Sequence, residues 1–415
     1  MGASAGAEDG VGLSDFIAKF HCKIVEQFEL IHERGTRANA KDRFVVLASQ
    51  DNPQKFAQCI LFDFDTNALC EVSSGRYGPA LADVPLTLAT AGRSAQSGQS
   101  GRSACISASG RHIEMNAPQP NWPKKTREYQ NHHFDSTMWN DFMFRDGDII
   151  ISTYAKSGTT WMQQIVSQLL FEGQEGLPTA DMSPWLDMRV PPKEVKLPAV
   201  EAQTHRRFLK THLPVDAIVF SPKAKYIYIG RDGRDVAWSF YNHHSNAKEV
   251  YYQAVNDTPG RVGPPFERPQ GDVVEYFRTW LARDGHPYWP FWENVRTWWE
   301  IKDLPNVHFV HFQNLKDDLA GEMRKIAAFL DIPIDEAKWP AIVEHCTFDY
   351  MKTNGTSTVP LGGALWDGGA QTFIHKGTNG RWTSMLTADD VAKYEAEAVA
   401  QLGDACAKWL ATGGM

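Results

Sequence analysis

The chain has 415 residues, 42% of them hydrophobic and 22% charged, a balance that fits a folded globular protein and excludes a disordered or collagen-like one. At about 150 residues per domain it has room for two to three domains. Its net charge of −8 gives no overall attraction for nucleic acid or an anionic membrane, and no stretch nears the roughly 18 apolar residues of a membrane span, so an anion site has to be built locally.

From the N-terminus, MGASAGAEDGVGLSDF lacks the basic and apolar regions of a secretory signal. Gly6 stands where a myristoylation pattern beginning at Gly2 needs Ser or Thr. A helix is predicted over 14–34, with Ser14 as its cap and Phe16, Ile17, Phe20, Ile24, Phe28 and Ile31 on one face. Strands follow in RFVVLAS (43–49), FAQCILFDFD (56–65) and ALCEVSSGRY (68–77), separated by turn residues. Together they make a small α+β module, residues 1–78, with no catalytic constellation. Residues 90–112 are rich in Gly, Ser and Ala and carry almost no large apolar groups, so they cannot offset their ordering entropy; 79–118 reads as a flexible linker, with Met115 as a second candidate start.

A third part, 119–415, alternates strand and helix. GDIIIST reads as a buried strand, Thr159 to Phe171 as a helix, and RRFLKTHLP as a strand stopped by Pro214. AKYIYIG is another strand, followed by a helix from about Asp235; NVHFVHF is a further strand before the helix of DDLAGEMRKIAAFL. Short apolar strands alternating with helices predict an α/β fold with a parallel sheet covered by helices on both faces. Ligands of such sheets bind beyond the carboxyl ends of the strands. The six cysteines contain no C-x-x-C pair and read as reduced core thiols, and with no signal segment the expected location is the cytoplasm.

TYAKSGTTW, Thr153 to Trp161, joins a strand end to the first turn of a helix. Free amides and the helix dipole favour an anion there; Gly158 lets the backbone approach it, Thr159 and Thr160 add hydroxyls, and Lys156 adds charge. The plain alternative is a capped helix with a solvated lysine. It is not a Walker A loop, because the lysine precedes the only glycine, and the loop is too short to wrap a triphosphate. A single 5′-phosphate fits better.

This loop resembles the 5′-phosphosulfate loop of the cytosolic-type sulfotransferases, which use 3′-phosphoadenosine 5′-phosphosulfate (PAPS); their usual pattern is Tyr-Pro-Lys-Ser-Gly-Thr-Thr-Trp, with Ala155 here in place of the proline. The resemblance implies a P-loop-NTPase-like sulfotransferase fold in a bacterial member of the family. It also implies that Lys156, Ser157, Gly158, Thr159 and Thr160 hold the phosphosulfate, and that Trp161 stacks on adenine. YIGRDGRDVAWSF carries Arg231 and, eight residues on, Ser239, the family's spacing for the 3′-phosphate; the alternative is that Arg231 pairs with Asp232 or Asp235. HKGTNGRW resembles the family's Arg-Lys-Gly-x-x-Gly-x-Trp segment, so Lys376 and Gly377 close over the same phosphate, while His375 stands where arginine is usual. VHFQNLKDD and CTFDYMK resemble two adenine-side stretches, offering Phe312, in the place of a tyrosine, and Phe348.

In FLKTHLP, period two puts Lys210 and His212 on one side of a strand. The family's Lys-Thr-His pattern implies that His212 is the general base, and imidazole titrates where an attacking alcohol or phenol must lose its proton. The alternative is a histidine satisfied by a backbone carbonyl. Lys156 is the candidate to follow the leaving oxygen, and Lys210 to help neutralise the sulfuryl group in an in-line displacement. No metal is required, and the pairs His132–His133 and His243–His244 read as ordinary residues whose side chains diverge.

The expected partners are PAPS and a small-molecule acceptor bearing a hydroxyl, or an amine, with no nucleic acid and no membrane. PYWPFWENVRTWW reads as an acceptor wall or a core helix. Competing functions are a nucleotide-dependent phosphotransferase and a non-catalytic nucleotide-binding regulatory or scaffold protein. Relatives dimerise through Lys-x-x-x-Thr-Val-x-x-x-Glu; Thr383, Ala388 and Ala392 replace the lysine, valine and glutamate around Thr387, so that dimer mode is not expected, and the oligomeric state stays open.

Overall fold

The structure, a computed structural model, describes residues 120–414 together with three short strands nearer the N-terminus. Those strands, β1 (Val45–Val46), β2 (Ile60–Asp63) and β3 (Ala68–Leu69), pair antiparallel in the order β1-β2-β3, and each falls inside one of the predicted strand stretches. The predicted helix over 14–34 and the linker over 90–112 lie outside the described residues, as do Cys22, Cys59, Cys70 and Cys105.

The larger unit is built on four parallel strands, β4 (Ile149–Thr153), β5 (Phe208–Thr211), β6 (Lys225–Gly230) and β7 (Val307–His311), in the order β5-β4-β6-β7. Register runs Ile151↔Lys210 on one side of β4 and Ile151↔Ile227 on the other. The helices used below are α1 (Thr159–Leu170), α2 (Gly233–Ser245), α3 (Phe291–Trp299), α4 (Phe312–Asp317), α5 (Leu319–Phe329), α6 (Phe348–Thr353) and α7 (Ala388–Thr412).

The pleat explains why these strands are apolar on both sides. Ile149, Ile151, Phe208, Ile227, Ile229 and Val310 enter one core with Met162, Ile165 and Val166 of α1 and Met323 and Ile326 of α5. Their neighbours Ile150, Leu209, Tyr226, Tyr228 and Phe309 enter the other, with Val236 and Phe240 of α2, Trp292 and Trp298 of α3 and Tyr394 and Trp409 of α7. Each fully buried large apolar side chain contributes about 1.5–3 kcal/mol, so neither face tolerates a polar run. The two buried faces are those expected of a parallel sheet.

Local sequence sets the element ends. α2 starts at Gly233, earlier than expected, because the Asp232 carboxylate accepts from Arg234 N at 2.8 Å and caps the first turn. β5 is shorter than predicted: it ends at Thr211, leaving His212 just past its carboxyl end. The segment Pro184–Leu186 lies along the outer side of β5, with Leu186 N donating to Lys210 O at 3.0 Å and Lys210 N to Pro184 O at 3.1 Å. That pairing brings Trp185 beside Lys210 and His212 and covers an edge that would otherwise be open.

The chain goes from β4 to β5 on one side and to β6 on the other. The sheet therefore has its switch point between β4 and β6, where open α/β sheets place ligands beyond the strand ends. The loops leaving these two strands carry Lys156 and Arg231.

Candidate active site at the strand carboxyl ends

The loop after β4 turns on two left-handed residues, Lys156 (φ +69°) and Gly158 (φ +111°). A Cβ on Gly158 would sit 2.9 Å from Cδ2 of Phe312, so both backbone and space require glycine there. A left-handed lysine costs of order 1–3 kcal/mol, strain that gathers at functional loops. The helix that follows has no side-chain cap on its first turn, whereas α2, α5 and α7 are capped by Asp232, Asp318 and Thr387. Uncapped amides at the N-terminus of a twelve-residue helix favour an anion, and the capped-helix alternative does not hold.

Lys156 is half-buried. Its Nζ donates to His243 Nδ1 at 3.0 Å and stands 5.0 Å from the Phe373 ring centre. Burial, then the charges of Arg231 and Lys210, push its ammonium down to about 7. Arg231 reaches back to this loop: Nη1 donates to Lys156 O at 2.9 Å, Nε to Asn379 Oδ1 at 3.0 Å and Nη2 to Thr378 O at 3.1 Å. Its guanidinium also lies 4.2 Å from the ring centre of Phe312. The expected alternative pairing with Asp232 or Asp235 is not formed; Asp232 is taken by Arg234 at 2.7 Å, and Asp235 accepts from Gly380 N at 2.8 Å. Burial lowers Arg231 to about 10, still a cation at neutral pH.

His212 is buried at 4% exposure, and its Nδ1 lies 2.8 Å from Thr153 O and 3.0 Å from Thr153 Oγ1. A carbonyl only accepts, so Nδ1 carries the hydrogen and Nε2 keeps its lone pair. The backbone-satisfied histidine and the histidine base are thus compatible: one nitrogen is anchored and the other is free. Thr153 Oγ1 in turn meets Thr159 Oγ1 at 2.7 Å, tying the histidine to the first turn of α1. Burial, then Lys210 and Lys156, lower the imidazole to about 3.

Lys210 and His212 share one neighbour, as the strand period predicts. Lys210 Nζ is 5.9 Å from the Trp185 ring centre, and the His212 ring meets Trp185 edge-on at 4.6 Å. Asp187 accepts from the Trp185 indole at 2.9 Å and holds that wall in place. Burial lowers Lys210 to about 8, and Asp187 partly opposes the shift. Trp289 also stands near the imidazole, at 5.9 Å between ring centres.

Of the aromatic residues expected to face adenine, Trp161 lies beside Phe312 and Phe348 lies on the tail segment. Trp161 meets Phe312 edge-on at 5.4 Å and donates its indole N–H to Cys346 O at 2.7 Å. Phe348 is 37% exposed and packs on Gly377, whose Cβ would come within 2.6 Å of it. His375 is half-buried beside Arg381, Lys376 is exposed, and Ser239 is half-buried on α2 one turn before His243.

Two readings from sequence need correction. His132 and His133 do not diverge; their Nδ1 atoms meet, because Asn131 Oδ1 accepts from both His133 N and Phe134 N and bends the chain out of helix or strand. His243 and His244 do not diverge on α2 either, their rings meeting edge-on at 5.0 Å, and His243 is not an ordinary residue, since it holds Lys156. Its place four residues after Ser239, on the same helix face, was the available signal. Thr153 and Arg381 lie inside TYAKSGTTW and HKGTNGRW, and Trp289 inside PYWPFWENVRTWW, without a spacing that singles them out; Trp185 belongs to no such motif.

A family model described as a sulfotransferase domain matches residues 146–404. The chain belongs to the sulfotransferase family. It is therefore a PAPS-dependent enzyme of sulfuryl transfer. Among similar proteins is the glycolipid sulfotransferase of Mycobacterium tuberculosis, 31% identical over 288 residues, spanning 64% of this chain and 88% of that protein. Sulfotransferase 1B1 of Mus musculus is 30% identical over 268 residues, 62% of this chain and 83% of that one. The fold is similar to that of mouse sulfotransferase SULT7A1 complexed with PAP, with a TM-score of 0.51 and 21% identity over 66% of this chain and 91% of the other. It is equally similar to retinol dehydratase in complex with androsterone and PAP, with a TM-score of 0.51 and 24% identity over 65% and 84%.

Proposed function

We propose that the enzyme moves the sulfuryl group of PAPS to a hydroxyl, or an amine, of a small-molecule acceptor by in-line displacement in the cytoplasm, with His212 as general base. The observation that carries this reading is the pairing of a free His212 Nε2 with cations that have no carboxylate within ion-pair distance among the described residues, namely Lys156, Lys210 and Arg231. Such a set fits a polyanionic donor. The uncapped first turn of α1, with Lys156, Ser157, Gly158, Thr159 and Thr160, would hold the 5′-phosphosulfate. Arg231 and Ser239, with His375, Lys376 and Gly377, would hold the 3′-phosphate. Trp161, Phe312 and Phe348 would face the adenine.

When bound, PAPS supplies a sulfuryl group on a 5′-phosphate leaving group. His212 Nε2 takes the proton of the attacking hydroxyl. Lys156 meets the charge that grows on the leaving oxygen, and Lys210 faces the transferring group. Burial does most to lower the imidazole and the charges of Lys210 and Lys156 add to it, so donor charge beside the lysines would offset that smaller part.

Every proposed site residue lies beyond residue 118, which makes 119–415 the sulfotransferase domain and gives the 1–78 module no part in the chemistry. No dimer forms through the segment around Thr387. The test is incubation with PAPS and a panel of phenols, alkyl alcohols and a glycolipid, the last prompted by the name of the mycobacterial relative. Sulfated product should appear in step with adenosine 3′,5′-bisphosphate. Bisphosphate release that ignores every acceptor would overturn the reading.

A further inference from the structure

The tail segment His375–Trp382 replaces the family's usual arginine by His375, yet it does not lack a guanidinium. Arg381 turns back along the segment, and its Nη1 lies 3.3 Å from His375 Nδ1. Its Nε is buried and has no hydrogen-bond partner, an orphan cationic donor beside the equally unpartnered indole N–H of Trp382. No carboxylate among the described residues is within ion-pair distance of it; Asp235, the acid whose charge reaches it, already accepts from Gly380 N at 2.8 Å. The same turn gives Thr378 O and Asn379 Oδ1 to Arg231, so two guanidinium groups are fastened to one short segment, and the charge of Arg381 weighs on Arg231. His375 itself is surrounded by Arg381, Lys376, Lys352 and Lys156, and as a neutral ring it adds no charge to this group.

We infer that Arg381 is a donor-binding residue, gripping the 3′-phosphate of PAPS from the side opposite Arg231 and supplying the charge-assisted contact that His375 does not. A phosphate dianion between the two guanidinium groups would give the orphan Nε its acceptor and offset the repulsion between them. The inference rests on the proposed reading that a 3′-phosphate lies beside Arg231.

The test is calorimetric titration of wild type, Arg381→Gln and the double variant Arg381→Gln/His375→Arg, each with adenosine 3′,5′-bisphosphate and with AMP. Wild type should prefer the bisphosphate strongly. Arg381→Gln should weaken the bisphosphate by about 10- to 100-fold, the range of a charge-assisted hydrogen bond, and AMP by less than about threefold. His375→Arg in the Arg381→Gln background should restore most of the preference. If wild type binds the two ligands equally, the 3′-phosphate reading itself fails. If wild type discriminates and Arg381→Gln keeps the full preference, or loses AMP affinity in equal measure, the role of Arg381 fails alone.

Discussion

Strand β5 carries a cation near each end, and the two are treated in opposite ways. Just before its first residue, Arg207 is fully buried and fully paired: Nε donates to Asp148 Oδ1 at 2.9 Å, Nη2 to Asp148 Oδ2 at 2.6 Å and Nη1 to Glu201 Oε2 at 3.1 Å. At the carboxyl end, Lys210 stands with Lys156, Arg231 and Arg381, and none of the four forms an ion pair among the described residues. A buried charge is tolerated where a geometrically matched partner offsets its desolvation. Where the fold withholds the partner on four cations at one end of the sheet, the proposed function gives the missing charge to the donor. The amino end of the sheet is built for stability, and the carboxyl end is held ready for anions.

The paired end is broken most severely by Asp148→Ala. This leaves the buried Arg207 guanidinium with the exposed Glu201 as its one carboxylate partner among the described residues, and should cost about 3–5 kcal/mol in urea unfolding. A loss below about 1 kcal/mol would show that the pair does not anchor β4 to β5.

The unpaired end is sharpened by pH. Lys156, lowered to about 7, is charged below that pH and neutral above it, and an anionic donor favours the charged form. Affinity for adenosine 3′,5′-bisphosphate should therefore fall as pH rises from 7 to 9, at up to about tenfold per unit, with proton uptake on binding at pH 8. Calorimetry showing constant affinity and no proton uptake would contradict the charge state assigned to Lys156.

A smaller effect is expected at Thr387. Its hydroxyl donates to Asp390 Oδ2 at 2.8 Å and accepts from Asp390 N at 3.2 Å, closing a capping box on α7. Thr387→Ala should cost about 1 kcal/mol in thermal unfolding while the mass measured by sizing stays unchanged. A dimer broken by this change would show that the residue serves an interface.

The strands of the sheet were legible because each is a short apolar run bounded by turn residues, and the phosphate loop because its donors are contiguous. Sheet order was not legible: it depends on β4 pairing with both β5 and β6, which no local pattern encodes. The contact from Lys156 to His243 spans 87 positions and needs α2 to pack over the loop, so only the fold reveals it. The His132–His133 contact was misread because an Asn131 bend, neither helix nor strand, brings the two rings together. α2 starts two residues before Asp235 because Asp232, one of several acids in RDGRD, is the one that caps it.

The most direct test of the account separates holding the donor from moving the proton. His212 is anchored through Nδ1 and, on the proposed function, lends no charge to the donor, whereas Lys156 would meet it directly. His212→Asn should bind adenosine 3′,5′-bisphosphate as wild type does, and should lower single-turnover transfer to an alkyl alcohol by about 10²–10⁴-fold, equivalent to about 3–5 kcal/mol of barrier. Lys156→Ala should lose both affinity and rate. Transfer at the wild-type rate by His212→Asn, or a defect confined to donor binding, would contradict the assignment of His212 as the base.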